Sequence, residues 1–329
     1  MATALMVTAD ELPTVFSDVT PVPQDDGPNP VCQIAYKEDF VKAYDYMRAI
    51  LKLDEKSERA LRLTALCLKW NPANYTIWHY RRLCLHQVGL SQERLQQDLD
   101  LAAVLGGVNP KNYQIWYHRR ALLESIIEDG HEAAQKELRY IASVFEDDAK
   151  NYHAWSHRQW ILKTVNKEEL WKAEIEYVCK LIFEDIRNNS AWNQRWFVAH
   201  RGKREALSQE AAQEEANYAL EQAQSDPYNE SPWRYLIGVV KEQPSLVESC
   251  EVKAVEMKDV LAKAGRDAEA CASLNSARID LLEMKGNQDS LQQAIQLADA
   301  MASNHDLVRR KYWALRVSEL EKKREGSNQ

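Results

Sequence analysis

Lysines, phenols and an imidazole gather at two places in this 329-residue chain, Pro110-Lys111-Asn112-Tyr113-Gln114 and Lys150-Asn151-Tyr152-His153. In both, Asn precedes an amphipathic run. Asn is a strong helix N-cap, because its side-chain oxygen accepts a hydrogen bond from an unpaired N–H of the first turn. A helix start already favours anions, through its free N–H groups and the positive end of its dipole. Lys111, Tyr113, Lys150, Tyr152 and His153 add cationic and phenolic donors there. Successive helical hairpins would set such starts roughly 10 Å apart, close enough to share one polyanionic ligand. The competing reading makes Lys111 and Lys150 solvated surface groups. His153 and His157 also stand at i, i+4, a spacing that can hold zinc on a helix. However, HAWSH lacks the glutamate of the zincin motif, and no third ligand is evident.

These sites belong to a repeat. Asn stands four residues before Trp in NYTIWHYRR (74–82), NYQIWYHRR (112–120), NYHAWSHRQ (151–159), NNSAWNQRW (188–196) and NESPWRYLI (229–237). The tryptophans Trp78, Trp116, Trp155, Trp192 and Trp233 recur with periods of 38, 39, 37 and 41 residues. A period in this range marks a solenoid built from one supersecondary unit. Upstream of each cap lies another stretch with apolar residues at spacings of three and four. Two helices of about 14–16 residues and two turns fill one period. The expected class is all-α, a right-handed, crescent-shaped superhelix of antiparallel hairpins resembling tetratricopeptide arrays. An arginine three residues after the Trp recurs as Arg81, Arg119, Arg158 and Arg195 and becomes Leu236 in the fifth copy. Recurring Trp and Arg read as scaffold, the ring filling the gap between hairpins and the guanidinium tying a neighbour's helix end. Divergence concentrates beside the caps, where a specific task would lie.

Residues 1–30 hold five of the ten prolines and little apolar periodicity, and they read as a flexible, dispensable arm. Residues 31–325 form the solenoid, with the five Trp repeats at about 70–240 and divergent helical hairpins beyond. The last residues, EGSNQ, are expected to fray. No secretory signal and no membrane span is evident. Net charge is −8, from 42 basic and 50 acidic residues, with no basic block. Broad electrostatic binding to nucleic acid or an anionic membrane is therefore not expected. Six cysteines without a C-x-x-C pair point to a reduced, cytoplasmic setting. No phosphate loop, nucleophile elbow or self-contained active site is present.

The tandem strings, with VKAYDYMRAILKLDEKSERALRLT (41–64) ahead of them and a weaker VRRKYW (308–313) behind, resemble the repeat of protein prenyltransferase α subunits. The resemblance is strong over 36 to about 240, and nearest to the α subunits of the CaaX enzymes, protein farnesyltransferase and type I geranylgeranyltransferase. It implies a crescent wrapped around a farnesyltransferase or geranylgeranyltransferase I β subunit, which carries the catalytic zinc. Magnesium would accompany the diphosphate. The family joins a C15 or C20 isoprenoid from its diphosphate to the Cys of a C-terminal CaaX sequence, as on Ras- and Rho-type GTPases. By the resemblance, Lys111 would contact the departing diphosphate. Tyr113 and Tyr152 would line that site with His153 beside them. Gln114 would bond the peptide's terminal carboxylate, and Ala73 and Tyr75 would border the pocket for the last CaaX residue. Departures are the insertion around 200–209, Pro232 and the sequence beyond 240. Two other readings are the α subunit of Rab geranylgeranyltransferase and a non-catalytic tetratricopeptide-like scaffold that binds peptides.

Overall fold

Most helices of this chain begin where a polar cap meets an amphipathic run, and the computed structural model, which describes residues 6–127 and 130–326, is helical with no strand among them. The outermost residues of the arm and of the tail, 1–5 and 327–329, lie outside the described residues. The chain divides into two compact units, up to Val165 and from Asn166. The first holds α1 (Leu12–Val15), α2 (Glu38–Leu53), α3 (Glu58–Trp70), α4 (Tyr75–Val88), α5 (Gln92–Val108), α6 (Tyr113–Leu123), α7 (His131–Asp147) and α8 (Tyr152–Val165). The second holds α9 (Glu168–Glu184), α10 (Asn189–Ala199), α11 (Gln209–Ser225), α12 (Glu230–Glu242), α13 (Val247–Lys263), α14 (Ala272–Lys285), α15 (Gln288–Ala300) and α16 (Arg310–Gly326).

Within each unit the helices pair as hairpins: α3 with α4, α5 with α6, α7 with α8, and so on to α15 with α16. Second helices also touch one another, α4 on α6 and α6 on α8. Their starts therefore fall side by side. α2 also packs on α3, so α3 is shared between that pair and the first Trp hairpin.

Two hydrogen bonds repeat and fix the stacking register. Each Trp indole N–H donates to the carbonyl six residues earlier: Trp78 to Pro72 (2.8 Å), Trp116 to Pro110 (2.8 Å), Trp155 to Ala149 (2.9 Å), Trp192 to Ile186 (2.8 Å) and Trp233 to Pro227 (2.9 Å). The next repeat's Asn amide donates to that same carbonyl, Asn112 to Pro72 (2.7 Å), Asn151 to Pro110 (3.1 Å) and Asn229 to Ile186 (2.8 Å). Because a buried carbonyl left unpaired is costly, one oxygen serving two repeats holds adjacent loops in a single alignment.

The ladder outlives its motif. In α14, Cys271, Asn275 and Arg278 stand at the offsets of Asn, Trp and Arg. The Cys271 thiol donates to Pro227 O (3.3 Å), and the Asn275 amide donates to Glu269 O, six residues back, at 2.8 Å. The divergent hairpins thus keep the geometry with other residues. Pro232 falls in the first turn of α12, where no intrahelical N–H is needed. The 200–209 insertion is pinned by Glu242, which accepts from His200 Nε2 (2.9 Å) and Leu207 N (3.3 Å).

The flexible-arm expectation is corrected over residues 6–22. Val7, Leu12 and Phe16 are fully buried, and Arg59 donates to Val15 O (3.1 Å) and Asp18 (2.5 Å) while lying over the Phe16 ring. Val22 N bonds Asp45 O at 3.0 Å. The prolines suppress helix, which hid three large apolar residues that a flexible arm would leave in water. Burying such a side chain contributes about 1.5–3 kcal/mol before ordering entropy is set against it. Deleting residues 1–22 is therefore expected to lower the thermal midpoint by about 2–5 °C. An unchanged midpoint would restore the dispensable-arm reading.

Candidate functional site

Three neighbouring helix starts make the candidate site. Asn74 caps α4 by accepting from Ile77 N (3.2 Å), and Asn112 caps α6 through Gln114 N (2.9 Å). Asn151 caps α8 through His153 N (3.0 Å) and Ala154 N (3.1 Å). The shared carbonyls of Pro72 and Pro110 bring Ala73 and Tyr75 beside the Lys111–Gln114 cap, and that cap beside Lys150–His153. The phenols stand out from these starts, with Tyr75, Tyr113 and Tyr152 being 70%, 68% and 72% exposed. Three large rings uncovered in a row form a surface that a ligand or partner can cover.

The structure brings three of the seven predicted residues, Tyr113, Tyr152 and His153, into contact. The Tyr113 ring meets His153 edge-on at 4.1 Å, and Tyr152 meets the same imidazole at 5.7 Å. The Lys111 ammonium lies 3.6 Å from Asp148, on the loop that carries Lys150, and its side chain is 75% exposed. Gln114 donates its backbone N–H to the Asn112 cap on the same turn. Ala73 and Tyr75 sit one cap earlier. Burial lowers the His153 pKa from 6.5, so the ring is neutral at neutral pH. The His153 ring presents itself to both phenols, and Lys111, Lys150 and the helix starts supply positive charge. His157 is buried and bonded to Glu137 Oε1 at 3.0 Å. Among the described residues no group of three or more His, Cys, Asp or Glu is placed to hold a metal ion. No described helix is long and apolar enough to cross a membrane.

Sequence reading missed the buried network that holds these starts still. Four first helices, α5, α7, α9 and α11, each carry one inward acid, and the second helix of the same hairpin donates to it. His118 Nε2 reaches Asp98 (2.7 Å), His157 Glu137, Gln194 Glu174 (2.8 Å), and Tyr235 Glu215 (2.6 Å). The preceding repeat's arginine clasps the same acid. Arg81 bonds Asp98 through Nε (2.7 Å), while Arg119 and Arg195 form two-pronged pairs with Glu137 (2.7 and 2.6 Å) and Glu215 (2.7 and 3.0 Å). The expectation that the guanidinium ties a helix end is corrected. It joins an acid on the next hairpin to a carbonyl in the body of the preceding helix, Leu61 O for Arg81 (2.8 Å) and Leu99 O for Arg119 (2.6 Å).

Burial alone would raise these carboxyls, but the facing guanidinium and ring outweigh it. Glu137 is held at about 2 by Arg119 and His157, and Asp98 well below the usual carboxylate range by Arg81 and His118. Since Glu137 lies below the 4.5 of the unfolded chain, its stabilisation is complete above 4.5 and is lost as pH falls through about 2. Burial lowers the His118 pKa despite Asp98, so the neutral ring donates from Nε2 and presents Nδ1 to Arg82 (3.4 Å).

A helical-hairpin scaffold with a cationic, phenol-lined row at adjacent helix starts is the class defined so far, and comparison places it further. The protein prenyltransferase alpha subunit repeat matches residues 57–88, 95–126, 134–165 and 171–201, the four hairpins from α3–α4 to α9–α10. The chain is 37% identical over 304 residues to the protein farnesyltransferase/geranylgeranyltransferase type-1 subunit alpha of Dictyostelium discoideum, covering 91% of this chain and 90% of that one. The namesake subunit of Candida albicans is 30% identical over 307 residues, covering 93% and 97%. The solved Candida albicans protein geranylgeranyltransferase-I complexed with GGPP superposes with a TM-score of 0.78 at 28% identity, over 93% of this chain and 98% of that one. The chain belongs to the protein prenyltransferase alpha subunit family, among the farnesyltransferase/geranylgeranyltransferase type-1 alpha subunits.

Proposed function

We propose that this chain is the α subunit of a cytoplasmic CaaX prenyltransferase, active as a heterodimer with a farnesyltransferase or geranylgeranyltransferase I β subunit. The complex moves a farnesyl or geranylgeranyl group from its diphosphate to the thiol of a C-terminal CaaX cysteine, on substrates such as Ras- and Rho-type GTPases. The observation that carries this is the row at the α6 and α8 starts, where Tyr113, Tyr152 and His153 meet and Lys111 stands exposed beside Asp148, in a chain similar over about nine-tenths of its length to a type-1 alpha subunit. Zinc, held by the β subunit, would favour the peptide thiolate, and magnesium would accompany the diphosphate.

This chain's part is positional and electrostatic. Lys111 faces the departing diphosphate, whose charge grows as the C–O bond stretches. Tyr113 and Tyr152 line that anion from two adjacent caps, and the His153 ring between them keeps both phenols in place. Gln114 donates its amide to the peptide's terminal carboxylate. Ala73, small, and Tyr75, exposed, border the last CaaX side chain.

Co-expression with each β subunit tests the proposal. The heterodimer is expected to prenylate a CaaX peptide without an escort protein, and the chain alone is expected to be inactive and prone to aggregate, with three phenols uncovered. In that heterodimer Gln114→Ala is expected to raise the peptide KM more than it lowers kcat. A charge-assisted amide–carboxylate bond contributes about 1.5–3 kcal/mol to ground and transition states alike. A fall in kcat alone would remove Gln114 from the peptide terminus. Prenylation that requires an escort would point to the Rab enzyme's α subunit.

A further inference from the structure

The residue before a capping Asn and the residue three before the next one face each other across adjacent loops, and this geometry occurs in two states. Arg187 precedes Asn188 and closes on Asp226, three before Asn229, at 2.6 Å. Lys111 precedes Asn112 and faces Asp148, three before Asn151, at 3.6 Å. The carboxylates are exposed to similar degrees, 27% for Asp226 and 30% for Asp148, so the difference lies in the cation and its reach. A guanidinium presents a planar fork that matches a carboxylate, whereas an ammonium is a mobile point charge on a flexible stem. One latch is shut and the other stands ajar.

Asp148 has two separable duties. Its Oδ1 accepts from Lys150 N (3.2 Å), and its backbone carbonyl accepts from Asn151 N (3.1 Å), which shapes the turn entering α8. Its Oδ2 faces Lys111 and carries no part of that turn. We infer that Asp148 is a positioning residue that competes with the diphosphate for the Lys111 ammonium and thereby limits how tightly the anionic product is retained. This rests on the reading that Lys111 meets the diphosphate.

Two physical effects act in the same direction. For the diphosphate to engage Lys111 fully, the ammonium must leave Asp148. The carboxylate left behind then repels the anion a few ångströms away. Both effects scale with ligand charge. They weigh most on the nascent diphosphate, which gains negative charge as the C–O bond breaks, and so favour release after that step.

Asp148→Asn separates the duties, because the amide oxygen can still accept from Lys150 N while the charge is gone. In the purified heterodimer, binding of inorganic diphosphate, measured as competitive inhibition, is expected to tighten by about three- to tenfold. Affinity for farnesyl diphosphate should tighten no more than that, since its diphosphate carries no more charge. Raised ionic strength should shrink the difference. Lys111→Arg is expected to shut the latch as Arg187 does, weakening inorganic diphosphate binding, and adding Asp148→Asn to it should restore the loss. Unchanged or weaker inorganic diphosphate binding in Asp148→Asn, or no rescue of Lys111→Arg, overturns the inference while leaving the function intact. A wild-type single-turnover rate in Lys111→Ala removes the diphosphate reading itself, and this inference falls with it.

Discussion

Lys111→Ala is expected to slow the chemical step of the heterodimer by about 10- to 1,000-fold. Negative charge accumulates on the diphosphate as its bond to the isoprenoid stretches, so a fixed ammonium stabilises the transition state more than the bound substrate. At about 4 Å and an effective dielectric near 20, a unit charge pair interacts by roughly 4 kcal/mol. Only the part that grows during reaction accelerates it, hence the range. Isoprenoid diphosphate affinity should change less. The complex should stay intact, because the Lys111 side chain is exposed and makes a loose contact with Asp148. Lys150→Ala should be milder, since its side chain is exposed. Single-turnover rates decide the matter. A wild-type rate would make Lys111 an ordinary surface lysine.

The caps were legible because Asn has one dominant use before an amphipathic run, and five copies at one period left little freedom. Tyr113, Tyr152 and His153 were legible as neighbours for the same reason, since a stacking repeat places equivalent residues side by side. Four things were hidden. Asp98, Glu137, Glu174 and Glu215 went unremarked, because charge is the usual mark of an exposed position. Their spacing gave them away: Glu137 lies three after Ala134 and four before Ile141, both buried, on the inward face of α7. The sixth hairpin lost its motif but kept its offsets, with Cys271, Asn275 and Arg278 at intervals of four and three, and hydrogen bonding rather than residue identity was what persisted. The arm was misread because proline content says where helix is absent, not whether Leu12 and Phe16 find a surface to bury against. The Lys111–Asp148 contact spans 37 positions and depends on how adjacent loops meet, which no local pattern encodes.

Glu137→Ala is expected to be among the most destabilising single changes in the first unit, by about 3–5 kcal/mol, because it leaves Arg119 buried without its counter-ion. Arg119 and Glu137 are 3% exposed, and His157, which also donates to Glu137, is 4% exposed. The gross attraction is large, yet desolvating three polar groups opposes it, so the network as a whole contributes far less than its rupture costs. The chain itself carries the alternative. In the fifth repeat Leu236 replaces the arginine, and α13, which follows, buries Val247, Cys250, Ala254, Met257 and Leu261 with no acid among them. Leu236 shares one apolar cluster with these residues. Arginine and acid were thus exchanged together for hydrocarbon at one joint of the stack. The triple variant Arg119→Met, Glu137→Leu, His157→Leu reproduces that joint between α6, α7 and α8, and its methionine stem keeps the contact Arg119 makes with the Tyr140 ring (3.7 Å). It is expected to recover most of the loss, ending within about 1–2 kcal/mol of the parent, since apolar replacement of a buried ionic group is often close to neutral. Thermal midpoints of the two heterodimer variants check the ordering. A triple variant no more stable than Glu137→Ala would mean that the ionic joint contributes specific alignment which packing cannot replace, and the cap row it supports should then lose activity with it.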